Sequence, residues 1–409
     1  MDIPQGYKQT ELGIIPEDWE IVNLGSVAKI NGRIGFRGYT TADLVGVGQG
    51  AYTIGGKHIT NMVLDLHDAE YISWQKYYES PEIMVRKGDI VFAQRGTLGK
   101  SAFIVNDIGP ATINPSLVLI NKIKCDNEYL SYWLQCDKIV EYICSINSQT
   151  SIPMITQNQI EHIPVVLSRI KAEQQAIAEA LGDIDGLIAT LDKKIAKKRL
   201  IKQGAMSQLL TGKKRLPGFS DPWVEKKLGE IGYTYSGLTG KSKDDFGQGN
   251  AKYITFLNVL ANPILKENLF GSITIRENEQ QNKVQFGDLF FNTSSETPED
   301  VGTCAVLLSY HEELYLNSFC FGYRLTDDNV LGLYLAYYFR SRLGRQLMTS
   351  LAQGATRYNL SKELFNASRI ILPETKDEQI AIATMLNDMD KEIDDLEAQR
   401  DKYRLLKSG

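Results

Sequence analysis

One segment of this chain occurs twice. Glu173-Gln174-Gln175-Ala176-Ile177-Ala178 opens a stretch ending at Asp185, and Glu378-Gln379-Ile380-Ala381-Ile382-Ala383 opens its copy ending at Asp390, 205 positions later. Each copy closes a larger unit. Both units open on a Trp followed by Leu-Gly (Trp19 with Leu24-Gly25, Trp223 with Leu228-Gly229), and both carry Gly-Asp before an apolar run (Gly88 to Phe92, Gly287 to Phe291). A duplicated globular unit with a duplicated helix predicts approximate two-fold symmetry and a partner that is equally two-fold, as duplex DNA is.

Ile177, Leu181, Ile184, Ile188, Leu191 and Ile195 are spaced four, three, four, three, four, the apolar seam of a coiled coil. Ile382, Leu386, Met389, Ile393 and Leu396 repeat it, with Arg400 where the first copy has Ile195. The spacing predicts two long amphipathic helices that bury their seams against each other, antiparallel. The first, from about Lys171 to about Leu210, would be a spacer roughly 60 Å long. Gly212, Pro217 and Gly218 end it. The expected fold class is α+β: two tandem mixed α/β domains separated by antiparallel helices, in a pseudo-two-fold repeat. The domains fall at 1–155 and 216–370, with helical regions at 156–215 and 371–409. Buried strands are expected at 101–105, 116–120, 303–308 and 320–325. Aromatic helices follow at 129–134 and 334–339, and such stripes are more often core than ligand platforms.

With 409 residues, 43% of them hydrophobic, the chain can fill two cores. Five cysteines without a C-x-x-C pair fit reduced thiols better than a disulfide framework. The first residues lack a secretion-signal pattern, and no run approaches the roughly 20 apolar residues of a membrane span, so a cytoplasmic protein with no membrane partner is expected. The net charge of −5 argues against an indiscriminate nucleic-acid coat. Charge is uneven: −4 over 1–155, +5 over 156–220, −2 over 221–370 and −4 over 371–409. The basic stretch is either a saddle over phosphates or the solvated face of a helix.

Tests for catalysis fail. Gly99-Lys100-Ser101 and Gly240-Lys241-Ser242 end like a phosphate-binding loop, but Gln94 and Tyr235 stand where its first glycine is required. Asn114-Pro115-Ser116-Leu117 lacks the second proline and the aromatic of an amino-methyltransferase motif. Glu225-Lys226-Lys227 is a lone E-x-K, weak as a nuclease signal. The four histidines (His58, His67, His162, His311) have no ligand spacing, so neither a metal site nor a catalytic residue is expected.

What remains are polar loops suited to bases and phosphates. Gln94, Arg95, Thr97 and Lys100 follow the apolar strand of the first unit. Arg and Gln pair bidentately with guanine and adenine, while Thr, Lys and Gly amides suit phosphates. The equivalent loop of the second unit offers Asn292, Thr293, Ser294 and Glu296, a different composition, as two readers of two sequences would need. Thr356, Arg357 and Tyr358 precede the second long helix, with Gln149 at the corresponding place in the first unit. Arg33 and Arg37, with Lys241 and Lys243 in the second unit, complete the set. For each loop the alternative is an ordinary polar turn.

Together these features resemble the specificity subunit of a type I restriction-modification system over essentially the full chain. The opening Gly6-Tyr7-Lys8-Gln9-Thr10-Glu11-Leu12-Gly13, the Gln208-Leu209-Leu210-Thr211-Gly212-Lys213 segment and both Glu-Gln-x-x-Ile-Ala helix starts carry the resemblance. It implies a non-catalytic subunit with two target-recognition domains, each reading half of a split, asymmetric site in double-stranded DNA. It also implies recruitment of two methyltransferase subunits, which use S-adenosylmethionine on adenine, and of two restriction subunits using ATP and Mg, with no cofactor on this chain. One departure is that the C-terminal helical region ends earlier than the central one. A non-catalytic protein scaffold that does not read DNA is the competing class, and a fused enzyme with an unrecognised site is a third.

Overall fold

The computed structural model describes residues 3–60, 62–147, 153–354 and 356–408, without the side chains of Phe36 and Ser408. Contacts divide the chain into two compact units, 1–190 with 400–409, and 191–399.

In the first unit the uninterrupted apolar run Ile90–Ala93 forms a strand buried on both faces, between Ser101–Phe103 and Leu117–Asn121, with Lys29–Gly32 beyond the latter, all antiparallel. Alternation along the strands splits their side chains between two cores. Phe92, Val118 and Ile120 join Leu24, Leu130 and Ile139 on one face; Val91, Leu117 and Leu119 join Ile54, Ile83 and Ile113 on the other. A second sheet runs Ala111–Ile113, Ala51–Ile54, Glu70–Ile72, Leu44–Val45, its first pair parallel.

The second unit takes the same path. Gly232–Ser236, Cys320–Leu325, Leu289–Asn292 and Cys304–Val306 repeat the antiparallel order, and Phe246–Ile254 pairs in parallel with Leu314–Leu316 as Ala51–Ile54 does with Ala111–Ile113. The repeat is therefore one of topology as well as of sequence. Its core is more aromatic: the ring of Phe291 lies 5.0–5.2 Å from those of Phe321, Phe339 and Phe365. The aromatic helices are Asn127–Trp133 and Gly332–Arg340, and Tyr129, Tyr334, Tyr337 and Phe339 are buried core.

The long helices are Lys171–Leu209 and Lys376–Ser408. Their seams are buried differently from the expected helix-on-helix contact at one end: Ile177 and Ala178 pack into the core of the first unit, and Ile382, Ala383 and Leu386 into that of the second. Leu181, Ile184, Ile188 and Met389 are half-buried, and Leu191, Ile195, Ile393 and Leu396 are buried. Lys198 meets Glu392 at 2.6 Å and Lys202 meets Asp390, so rising numbers on one helix meet falling numbers on the other, as in an antiparallel pair. Together with Arg199–Glu397 these pairs engage part of the basic stretch with the acidic second helix. That favours a helix face over a phosphate saddle for those three side chains.

The repeated motif has a physical reason. Gln174 donates to Ser168 O at 2.7 Å and accepts from Asp126 N at 2.8 Å; Gln379 donates to Pro373 O at 2.9 Å and accepts from Leu331 N at 2.9 Å. At the other end of the motif, Asp185 accepts from Tyr132 OH at 2.9 Å and Asp390 from Tyr337 OH at 2.8 Å. Lys407 reaches Asp185 at 2.7 Å, repeating Lys202 on Asp390. Each Gln thus fastens a helix start to its domain through buried groups that have no water to replace it. Gln379→Ala should destabilise the second unit by about 1–3 kcal/mol, read as a lower urea midpoint, because it strands a buried donor and acceptor.

Candidate nucleic-acid interface

In the first unit three separated segments meet. The strand Ile90–Ala93 ends where Gln94 N donates to Ser116 O at 3.0 Å; Gly96 N then donates to Pro153 O and Ile155 N to Gln94 O, both at 3.0 Å. Gly96 and Gly99 take φ of +79° and +78°, which lets the loop turn back so that Ala93 N reaches Lys100 O at 2.8 Å. The result borders a concavity of about 580 Å³, with Arg33, Gln94, Arg95, Met154, Thr156 and Gln157 in its wall.

The predicted side chains take different positions there. Arg95, Thr97 and Lys100 are exposed, with Arg95 Nε on Met154 Sδ at 3.1 Å. Gln94 donates to Pro115 O at 3.0 Å. Arg33 is buried: its Nε donates to Ile113 O at 3.1 Å and its Nη2 to Thr112 Oγ1 at 2.9 Å. Burial lowers its pKa, and its donors hold two strands in place. Arg37 is half-buried, 3.5 Å from Glu82. Gln149 lies outside the described residues. Asn114-Pro115-Ser116 is a turn in which Asn114 Oδ1 accepts from Ser116 N at 2.9 Å.

In the second unit, loops 292–299 and 353–359 come together: Ser294–Ser295 and Ala352–Gln353 both pair with Tyr358–Leu360 in a small antiparallel sheet. Gly354 allows a close backbone approach, since a Cβ there would lie 2.1 Å from Arg357 O. Arg345 fixes the base of the first loop by donating to Glu299 O at 2.8 Å, Gly302 O at 2.9 Å and Val301 O. Glu296, Thr356 and Arg357 are exposed, and Thr293, Ser294 and Tyr358 half-buried. Asn292 is fully buried, accepting from Thr303 N at 2.6 Å and donating to Asp300 O at 3.1 Å. Lys243 is exposed, whereas Lys241 turns inward onto Thr274 O at 2.7 Å and Glu279.

Hydrogen bonds from Lys241 and Gln281 hold Glu279 below the usual carboxylate range, so its folded pKa lies under its ordinary 4.5. Its contribution to stability is present above pH 4.5 and lost as pH falls through the folded value. Melting temperature should therefore fall less steeply in this acid range for Glu279→Gln than for the wild type.

The residues read as a weak nuclease signal are strand ion pairs, Glu225 with Arg369 at 2.8 Å and Lys226 with Asp327 at 3.1 Å. Among the described residues no cluster of His, Cys, Asp and Glu could hold a metal ion, and no helix is long and apolar enough to cross a membrane. Sequence reasoning missed Met154, Thr156 and Gln157 as cavity wall. A signal existed in Thr156 and Gln159, a capping box in which Gln159 N donates to Thr156 Oγ1 at 3.2 Å and Thr156 N to Gln159 Oε1 at 2.9 Å.

A family model described as the type I restriction modification DNA specificity domain matches residues 16–198 and, a second time, 220–403. The type I restriction enzyme MjaX specificity subunit of Methanocaldococcus jannaschii is 27% identical over 300 residues, 64% of this chain and 66% of that protein. The MjaVIII specificity subunit of the same organism is 29% identical over 225 residues, 52% and 50%. The chain thus spans 66% and 50% of the length of these two relatives. The type I restriction-modification S subunit from M. genitalium aligns with 100% of this chain and 96% of its own at TM-score 0.58 and 14% identity. A chain from a study of complex assembly and conformational transition of the type I R-M system aligns over 96% of each at TM-score 0.59 and 17% identity. At these identities the likeness concerns fold.

Proposed function

The chain belongs to the type I restriction modification DNA specificity family, and on that premise we propose that it is the DNA-reading subunit of such a system. One observation supports the reading most: each unit carries an exposed polar surface at the same place in the fold, after the central strand, and the two surfaces differ in composition. Arg95, Thr97 and Lys100 stand in the first, Glu296, Thr356 and Arg357 in the second. Two different readers on one repeated scaffold fit a split, asymmetric site in duplex DNA. The chain does no chemistry itself and binds no cofactor. It works in the cytoplasm with two methyltransferase subunits, which use S-adenosylmethionine on adenine, and two restriction subunits, which use ATP and Mg.

The scaffold role has its own support. Leu200 and Ile201 are exposed by 68% and 46%, and Leu405 and Leu406, which stand 205 positions further on, by 72% and 58%. A repeated exposed apolar pair suits two equivalent copies of one partner. Aspartates at Leu200 and Ile201 should lower the bound methyltransferase copies from two to one, counted by native mass spectrometry, without altering DNA affinity of the free chain.

The long helices act as the ruler between half-sites. Adding one heptad within 173–203 should lengthen the gap by about three base pairs, from roughly 1.5 Å per helical residue and 3.4 Å per base pair, and leave both half-sites unchanged. An unchanged gap sinks the ruler. For the reading as a whole the test is salt: affinity for a duplex bearing the site should fall steeply between about 50 and 200 mM salt as phosphate contacts are lost. Methyltransferase binding with no salt-sensitive DNA binding in any assembly would favour a scaffold that does not read DNA.

A further inference from the structure

The two units differ where a further segment meets the loop after the central strand. In the first unit Gln94 N donates to Ser116 O at 3.0 Å, and in the second Thr293 N donates to Phe319 O at 2.9 Å, the same bond from the residue that follows the strand. The match extends backwards along the chain. Asn114 Oδ1 accepts from Ser116 N at 2.9 Å as Asn317 Oδ1 does from Phe319 N at 2.8 Å, while Asn114 N donates to Ile54 O at 2.8 Å and Asn317 N to Ile254 O at 3.2 Å. Phe319 therefore stands where the first unit has Ser116, and Phe256 and Leu257 stand where it has Gly56 and Lys57.

At these three places the first unit has no large apolar side chain, and the second has nothing else. Phe319 is 58% exposed and Leu257 73%. The Phe319 ring is nevertheless held in place, because it meets the half-buried ring of Phe256 edge-on, with centroids 6.3 Å apart and planes at 77°. Its support is firm in turn: Thr255 Oγ1 accepts from Asn258 N at 3.3 Å to start the helix Phe256–Ala261, and Arg340 donates to the Val259 and Leu260 carbonyls near its end. An exposed apolar ring on a rigid seat is suited to a partner that covers it. That partner shares the surface with the polar residues Thr293, Ser294 and Glu296 of the adjoining loop, so it is the DNA that the loop engages. Among the base edges of the major groove only thymine presents an apolar group, its C5 methyl.

We propose that Phe319 sets specificity for thymine in the half-site read by the second unit, its ring covering the C5 methyl and Phe256 supporting it from behind. The proposal rests on the DNA-reading function above and names one base that this function reads. It is tested with the full chain in complex with its methyltransferase subunit, on duplexes bearing the methylation-mapped site in which each thymine of either strand is replaced singly by uracil. Uracil lacks the methyl and keeps the pairing edge. At one position the replacement should weaken binding about four-fold, the worth of one buried methyl, as read by fluorescence anisotropy. Phe319→Ser, which installs the residue of the first unit, should bind the thymine and uracil duplexes equally at that position. Thermal melts check that the variant folds. If it does not, the wild type decides: 5-iodouracil at that position, its iodine in place of the methyl, should crosslink to Phe319 on irradiation, as identified by mass spectrometry. A site without thymine, no uracil penalty at any position, penalties that all persist in folded Phe319→Ser, or a crosslink to other residues only would overturn the proposal and leave the DNA-reading function intact. Absence of site-selective binding overturns both.

Discussion

Replacing Arg340 by methionine should cost the second unit about 3–5 kcal/mol, a large share of the roughly 5–15 kcal/mol that holds an ordinary domain folded. The Arg340 side chain is half-buried within the unit. Its Nε donates to Cys304 O, and its Nη2 to the carbonyls of Val259 at 2.6 Å, Leu260 at 3.0 Å and Asn262 at 2.9 Å. Two of these carbonyls lie in the last turn of the helix Phe256–Ala261, where backbone acceptors have no partner inside the helix and a cation is favoured. Burial pushes the Arg340 pKa down to about 10, so the side chain is still charged at neutral pH. Methionine fills much of the volume and supplies no donor, leaving four carbonyls in a half-buried site without their partner. Hydrogen exchange should show protection lost over 256–306 and retained in the first unit. Equal protection in both proteins would mean that water replaces the guanidinium at no cost.

Arg95→Ala should relax reading of the first half-site by roughly ten- to a hundred-fold at one base pair, the worth of a bidentate contact of 1–3 kcal/mol, while the second half-site is read as before. Arg95 stands exposed on the wall of the concavity beside the loop, and its Nη atoms make no hydrogen bond or ion pair with a described residue. Its position is set by the backbone pairing of the loop with 153–155, which does not depend on the side chain, so the variant should melt like the wild type. Arg33→Met should do the reverse, lowering stability through the strands it joins. If Arg95→Ala left selectivity unchanged at every position, the reading face of the first unit would have to lie elsewhere.

The contrast between Arg33 and Arg95 shows where sequence reading ends. The seam spacing and the glycines after it placed the first long helix at about 171–210, and Lys171–Leu209 is what forms, because periodicity and breakers act locally. The apolar runs after Gly88 and Gly287 became central strands for the same reason. Side-chain duty depends on partners far away in the chain. Arg33 meets Thr112 and Ile113, 79 and 80 positions on, and Lys241 meets Thr274 and Glu279, 33 and 38 positions on, so residue type alone could not tell a base reader from a brace. Asn292 likewise closes its own loop from the inside.

The central claim is that one chain reads two half-sites and brings methylation to them. Single-molecule sequencing of DNA from cells expressing the chain, with and without its methyltransferase subunit, tests it most directly. The account predicts a split, asymmetric motif methylated on adenine that appears only when both proteins are present. A stable complex of the two with no new methylated motif would contradict it.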